Sequence, residues 1–279
     1  MRELTIKSKH LLALFLQCTK TTEILNSYIC RVKKIISLTI LIAVFISAAT
    51  AQVRTTTRND IGWITTTITP TISKKLSGYI EYQFRRAEYI QDWQQSLLRL
   101  GMNYKLHPQV TAHLGYGWIL TFPYGEYSIA AVPKTFPEHR IYQQLVINGG
   151  AGKVSFIHRL RVEQRWLGKF NDMDSKKPDD YIFLNRVRYM LRADVPLSEK
   201  VYAAAYDELF IGFGKNVGEN IFDQNRIGLL VGYKHSPAFR IEGGFLNQAV
   251  QLGREINGKN VFQQNNGFII NTYLQLNNN

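Results

Sequence analysis

Charged and apolar residues alternate along this chain in one segment after another. In "RLRVEQRW", Arg159 to Trp166, the charges stand at Arg159, Arg161, Glu163 and Arg165, with Leu160, Val162 and Trp166 between them. Successive side chains of a strand point to opposite faces, so a period of two predicts a strand with one charged and one apolar face. A soluble sheet would turn its charges to water and bury its apolar face against a second layer. This chain offers little from which to build that layer, because the same alternation recurs from Ile61 to its end without a convincing helical period.

The pattern runs through Ile61 to Thr69, Gly78 to Arg85, Gln95 to Leu106, Val110 to Leu120, His139 to Ile147 and Val154 to Trp166. It continues through Tyr181 to Val195, Val201 to Ile211, Gln224 to His235, Phe239 to Gln248 and Gln263 to Leu276. Short turns fall at Pro108, Gly149 to Lys153, Pro196 and Pro237. Longer polar loops fall between them, at Phe122 to Glu138, Leu167 to Asp180, Gly212 to Asp223 and Ala249 to Asn260. Short turns on one rim and long loops on the other are the layout of an outer-membrane barrel, whose outward side chains meet lipid while the alternate ones line the interior. The sequence therefore predicts an all-β fold, an antiparallel up-and-down transmembrane β-barrel of about 10–12 strands. About eleven segments are visible, and bacterial barrels usually have an even number. This favours ten or twelve strands, with Val53 to Asn59 as an extra short strand or a segment running through the lumen. Tyr104, Trp118, Tyr233 and Tyr273, near strand ends, suit interfacial aromatic girdles.

The N-terminus reads differently. Arg31, Lys33 and Lys34 precede the apolar run Ile35 to Ala48, and Ala49-Thr50-Ala51 forms a small-residue cleavage site. This is the arrangement of a cleavable signal peptide. It divides the chain into residues 1–51, an N-terminal extension with signal peptide, and residues 52–279, the barrel. The 30 residues ahead of the basic cluster suggest that translation starts near Val32. Removing residues 1–51 takes away seven basic and two acidic residues, lowering the net charge from +13 to +8, together with Cys18 and Cys30. The mature chain then has neither disulfide nor thiol chemistry. Its expected location is the bacterial outer membrane, with membrane lipid and the barrel-assembly machinery as partners.

The stretches "HRLRVEQRW" (158–166), "NRVRYML" (185–191), "YDELF" (206–210) and "DQNRIGLLVGY" (223–233) resemble the domain-of-unknown-function family 2490, found mostly in Bacteroidetes. The resemblance spans roughly Ile61 to the C-terminus. It implies an outer-membrane β-barrel and no particular activity. The ending "TYLQLNNN" departs from the usual barrel-assembly signal, since it lacks a terminal aromatic.

The candidate site is the inward charged face: Arg85, Arg99, Arg161, Glu163, Arg165, Arg186, Arg188, Glu208, Arg226 and Glu242. Arginine forms bidentate pairs with carboxylates, so these residues predict either an ion-pair ladder that stiffens a narrow barrel or a cationic constriction favouring small anions. A lipid-modifying enzyme would need a Ser–His pair with an orienting group. His158 and Ser155 sit on opposite faces of one strand, and His113 has no evident serine partner. The histidines have no metal-ligand spacing. "NDMDS" (171–175) lacks the glycine and distal glutamate of a calcium loop. No cofactor is expected, and basic residues dispersed over alternate strand positions disfavour nucleic-acid binding. "FPYGEYSIAAVPKTFP" (122–137) offers a third possibility, surface interaction through a loop. A plug folded into the lumen is an alternative, but a surface loop is the preferred reading of that segment.

Overall fold

The structure, a computed structural model, describes residues 54–218 and 220–277. The signal-peptide expectation lies outside the described residues. Eleven strands follow one another: β1 (Arg54–Pro70), β2 (Leu76–Ala87), β3 (Asp92–His107), β4 (Val110–Thr121), β5 (Phe136–Ala151), β6 (Val154–Lys169), β7 (Asp180–Pro196), β8 (Val201–Phe213), β9 (Phe222–Ser236), β10 (Phe239–Ile256) and β11 (Lys259–Leu276). Each pairs antiparallel with the next, and β1 pairs with β11 to close the barrel.

The odd count sets the geometry of closure. In an up-and-down ring of eleven strands the first and last run in the same direction, so the seam must be parallel. The β1·β11 pairing is continuous from Arg54↔Asn260 to Pro70↔Leu276. This corrects the expectation of ten or twelve strands. Residues 54–59 neither form a twelfth strand nor cross the lumen; they extend β1, paired with Asn260 to Asn265 of β11, and Asn59 donates to the side chain of Asn265 at 2.8 Å. Parallel pairing is slightly weaker per residue than antiparallel. The threonine- and asparagine-rich sequences along this seam add side-chain bonds. Thr272 Oγ1 contacts Thr66 Oγ1 at 2.9 Å, and Gln275 donates to Thr71 Oγ1 at 2.9 Å.

Two further expectations change. Ala249 to Asn260 is not a long loop: β10 and β11 meet in a two-residue Asn257-Gly258 turn, with φ of 53° and 69°. Both residues need the left-handed region, the requirement that makes Asn-Gly the preferred tight hairpin turn. The remaining long connections on this rim are residues 122–135, 170–179 and 214–221. Tyr273 does not join an outer girdle. It points inward, and its hydroxyl donates to Glu242 at 2.8 Å.

The alternation resolves into an inside and an outside. Leu98, Leu100, Met102, Leu114, Leu160, Ile227, Leu229 and Val231 are exposed on the outer wall, while Arg99, Arg161, Glu163, Arg188 and Arg226 are buried. Two half-buried imidazoles on this wall are paired with tyrosines: His139 with Tyr116 at 2.6 Å and His158 with Tyr189 at 2.8 Å. Side chains fill the interior. One apolar cluster is built from Ile61, Trp63, Ala204, Leu230, Leu246 and Ile269. Inward glycines give tyrosines room to lie against the wall. Gly115, Gly228 and Gly232 pair across strands with Tyr142, Tyr206 and Tyr202. A Cβ at any of these three positions would collide with the partner ring. These glycines, which as small residues would suggest open lumen, are covered by aromatic rings. Gly228→Leu should therefore force Tyr206 off its seat and destabilise the barrel by about 1–3 kcal/mol, the usual cost of overpacking, as read from unfolding in detergent. Unchanged stability would mean that the ring does not pack there.

Candidate arginine-lined chamber

β5 to β9 each carry arginine or carboxylate among their inward positions, and strand register sets these opposite one another. Glu163 and Arg186 are cross-strand partners, as are Arg161 and Arg188, and Glu208 and Arg226. Glu163, fully buried, is the hub. It accepts from Arg186 Nε at 2.9 Å and Nη2 at 2.6 Å, from Arg188 Nη1 at 2.7 Å and from Arg140 Nη1 at 3.4 Å. A fourth guanidinium, that of Arg161, lies 3.6 Å away. Such crowding of one carboxylate is possible because each arginine also has another acceptor or aromatic face. Arg188 reaches Glu208 at 2.7 Å, Arg186 reaches Asp223 at 2.5 Å, and Arg161 is held by Gln144 at 2.6 Å and lies over the Tyr142 ring. Glu208 also accepts from Arg159 at 2.8 Å.

Two outlying groups flank this hub. Towards the long-loop rim, Glu138 receives Arg140 at 2.5 Å and Arg165 at 2.8 Å. Towards the short-turn rim, Glu242 accepts from both terminal nitrogens of Arg192, at 2.9 and 2.6 Å, and from the hydroxyl groups of Tyr202 and Tyr273. Arg99 pairs with Glu81. Arg85 and Arg226 differ from the rest. Their hydrogen bonds go to Gln83, Gln95 and Gln224, and their guanidinium groups lie against Trp63, 3.7 and 4.9 Å from its ring centroid.

Above the hub lies a chamber of about 370 Å³. Arg85, Arg99, Arg140, Arg165, Arg186 and Arg226 line it from below, and Tyr124, Ile129, Ala130, Ala131 and Val132 of the 122–135 loop line it from above. That loop, preferred as a surface loop in the sequence reading, folds over the interior instead. The Tyr124 hydroxyl donates to Gln263 at 3.1 Å, Gln263 donates to the Tyr127 carbonyl at 2.6 Å, and Arg254 donates to the Ser128 carbonyl at 3.0 Å. Lys134 fixes its far side by donating to the carbonyls of Met173 and Ser175 in the 170–179 loop. An ammonium thus uses main-chain oxygens of "NDMDS". Asp172 Oδ1 there accepts from the backbones of Asp174 and Ser175, and the Ser175 amide is the first of the bonds that hold its carboxyl below the ordinary aspartate range. Among the described residues no group of His, Cys, Asp or Glu is arranged to hold a metal ion.

All ten sequence-predicted site residues have side chains inside the barrel. Arg161, Glu163, Arg165, Arg186, Arg188 and Glu208 form one connected network, Arg99 pairs separately, Arg85 and Arg226 share Trp63, and Glu242 stands apart at the other end. Sequence reasoning missed Glu138 and Asp223, which it left at the edges of loops, and Arg140, which it placed in the strand from His139 but not in the site. The i, i+2 spacing of Glu138, Arg140 and Tyr142 was the signal that β5 begins earlier. Arg192 and Glu81, which share the inward faces of Arg188 and Arg85 on their strands, were not among the predicted site residues.

Removing one member of a buried ion pair typically costs about 3–5 kcal/mol, because its partner remains buried without compensation. Glu163→Ala removes the one carboxylate shared by four guanidinium groups and should fall in that range in unfolding measurements. Asp194→Ala, which removes a partly exposed carboxylate with a single arginine partner, should cost well under half as much. Equal losses would show that Glu163 is not the hub.

Residues 61–259 match the family model described as "Protein of unknown function (DUF2490)". No curated protein matches the chain significantly. Among solved structures, the barrel is similar to the NanC porin, with a TM-score of 0.40 and 12% identity over 71% of this chain and 90% of that one. It is also similar to a second porin, with a TM-score of 0.32 and 12% identity over 68% of this chain and 56% of that one. The family match runs from within β1 to the first residue of β11, and the chain belongs to the DUF2490 family of proteins of unknown function.

Proposed function

We propose that this protein is a bacterial outer-membrane barrel with a filled, arginine-lined interior that passes little current and favours anions. The observation that carries the reading is the inversion of the usual soluble pattern. Large apolar side chains cover the outer wall, with Leu229 55% exposed, while buried arginines and glutamates occupy the inside. Lipid removes the cost of that outer wall. It also demands that backbone groups pair within the sheet, which a closed barrel achieves. Membrane lipid is then the principal partner of the outer wall, and the barrel-assembly machinery is its partner during insertion. The loop that might have recruited a protein partner is folded over the chamber instead.

The interior supports a narrow or closed path. Barrels near the small end fill with side chains. Here partners from separated strands meet across the interior: Arg226 of β9 lies against Trp63 of β1, and Arg192 of β7 pairs with Glu242 of β10. The sign of the charge follows from the pairs. Eight arginines share seven carboxylates, and Arg85 and Arg226 bring the inward cations of this set to ten. Excess inward arginine favours anions, as arginine rings do in anion pores.

Reconstituted in planar bilayers, the wild-type barrel should show low or no conductance, with any residual current anion-selective. Large cation-selective currents would contradict both the filling of the interior and the sign of its charge.

A further inference from the structure

Arg85 and Arg226 are buried arginines of the chamber that make no ion pair with a carboxylate among the described residues. Among the described residues no carboxylate oxygen lies within 4.0 Å of either, whereas Arg99, Arg140, Arg165 and Arg186, which line the same chamber, each have one. Glutamine takes its place. Arg85 donates to Gln83 Oε1 at 2.5 and 2.9 Å and to Gln95 Oε1 at 2.8 Å, and Arg226 donates to Gln224 Oε1 at 2.8 and 3.0 Å. The Gln224 oxygen is itself fixed by Gln248 Nε2 at 2.7 Å. A neutral amide orients a guanidinium without cancelling its charge. Both of these bonds from Arg226 leave through Nε and Nη2. Both groups are nearly buried and share one indole, Trp63, so two like charges are held close together in a poorly solvated place. That arrangement is costly unless an anion joins it.

The chamber supplies the rest of a binding site. Its volume of about 370 Å³ lies in the range of small-molecule pockets. Opposite the arginines, Ile129, Ala130, Ala131 and Val132 present an apolar surface on a loop anchored at Gln263 and Arg254. We propose that this chamber binds a small oxyanion carrying an apolar group, with a carboxylate or phosphate head between Arg85 and Arg226 and the apolar part against Ile129 to Val132. The inference rests on the cationic interior proposed above. It is separable from conduction, because binding in detergent and current in bilayers can succeed or fail independently.

The test is calorimetric titration of the full-length barrel in detergent with phenyl phosphate, benzoate, inorganic phosphate and benzyl alcohol. Phenyl phosphate or benzoate should bind at one site and weaken with added salt, and the tighter of the two identifies the head group. Benzyl alcohol should not bind, and inorganic phosphate should bind at least about tenfold more weakly than the better aromatic anion. The double variant Arg85→Gln/Arg226→Gln should weaken binding by about tenfold or more, the scale of a lost charge-assisted hydrogen bond. Arg192→Gln, at the other end of the interior, should leave it unchanged. Ala130→Trp fills the chamber from the loop without touching the arginines and should also abolish binding, which keeps the test decisive if the double variant does not fold. The proposal is overturned if neither aromatic anion binds, if inorganic phosphate or benzyl alcohol binds as tightly as they do, or if both Ala130→Trp and a folded double variant bind like the wild type.

Discussion

The convergence of four guanidinium groups on Glu163 is the interaction on which the rest of the interior depends. Arginines in an enclosed space repel one another, and a barrel with an apolar outer wall cannot turn them outward. They must be neutralised where they stand. Glu163 begins this, and Glu208, Asp223 and Glu138 extend it through arginines that each bridge two acceptors. Aromatic faces complete it. Phe210 lies under Arg186, Arg188 and Arg226, and Tyr142 lies under Arg161, so planar guanidinium groups stack where no further carboxylate fits. The result is a filled section through the barrel, with a chamber where the 122–135 loop closes over it.

Much of this was legible from the period of two. In β6, β7 and β9 the alternation is nearly unbroken, so the direction of Arg161, Glu163, Arg186, Arg188 and Arg226 followed from sequence alone. What was not legible came from two sources. Strand ends are set by pairing with neighbours rather than by their own residues. The first strand looked as if it began at Ile61 although pairing with β11 carries it back to Arg54, and β10 looked finished at Gln248 although it continues to Ile256 against β11. For the same reason Glu138 and Asp223 were left in loops. The second source is contact between distant segments. Nothing local in "FPYGEYSIAAVPKTFP" announces that Tyr124 will reach Gln263, and nothing around Tyr273 announces Glu242.

The parallel seam and the folded loop give the two rims different characters. One rim is tied by short turns and by the Glu242 cluster with Arg192, Tyr202 and Tyr273. The other carries three long connections, two of which are locked together by Lys134. A molecule approaching from the long-loop side therefore meets an anchored loop, then a chamber with an apolar roof and a cationic floor, and beneath that the ion-pair hub. This sequence of environments suits selective retention of an anion better than its free passage.

The central claim is that this barrel turns its apolar wall to lipid and its charges inward. Because the only cysteines of the chain are Cys18 and Cys30, ahead of the barrel, single spin labels can be placed along β9 in protein lacking residues 1–51. In reconstituted bilayers, labels from Ile227→Cys, Leu229→Cys and Val231→Cys should be open to oxygen and shielded from a water-soluble paramagnetic reagent. A label from Leu230→Cys should be immobilised and open to neither. The account predicts that alternation; its reversal, or exposure of the labels at 227, 229 and 231 to the aqueous reagent, would contradict it.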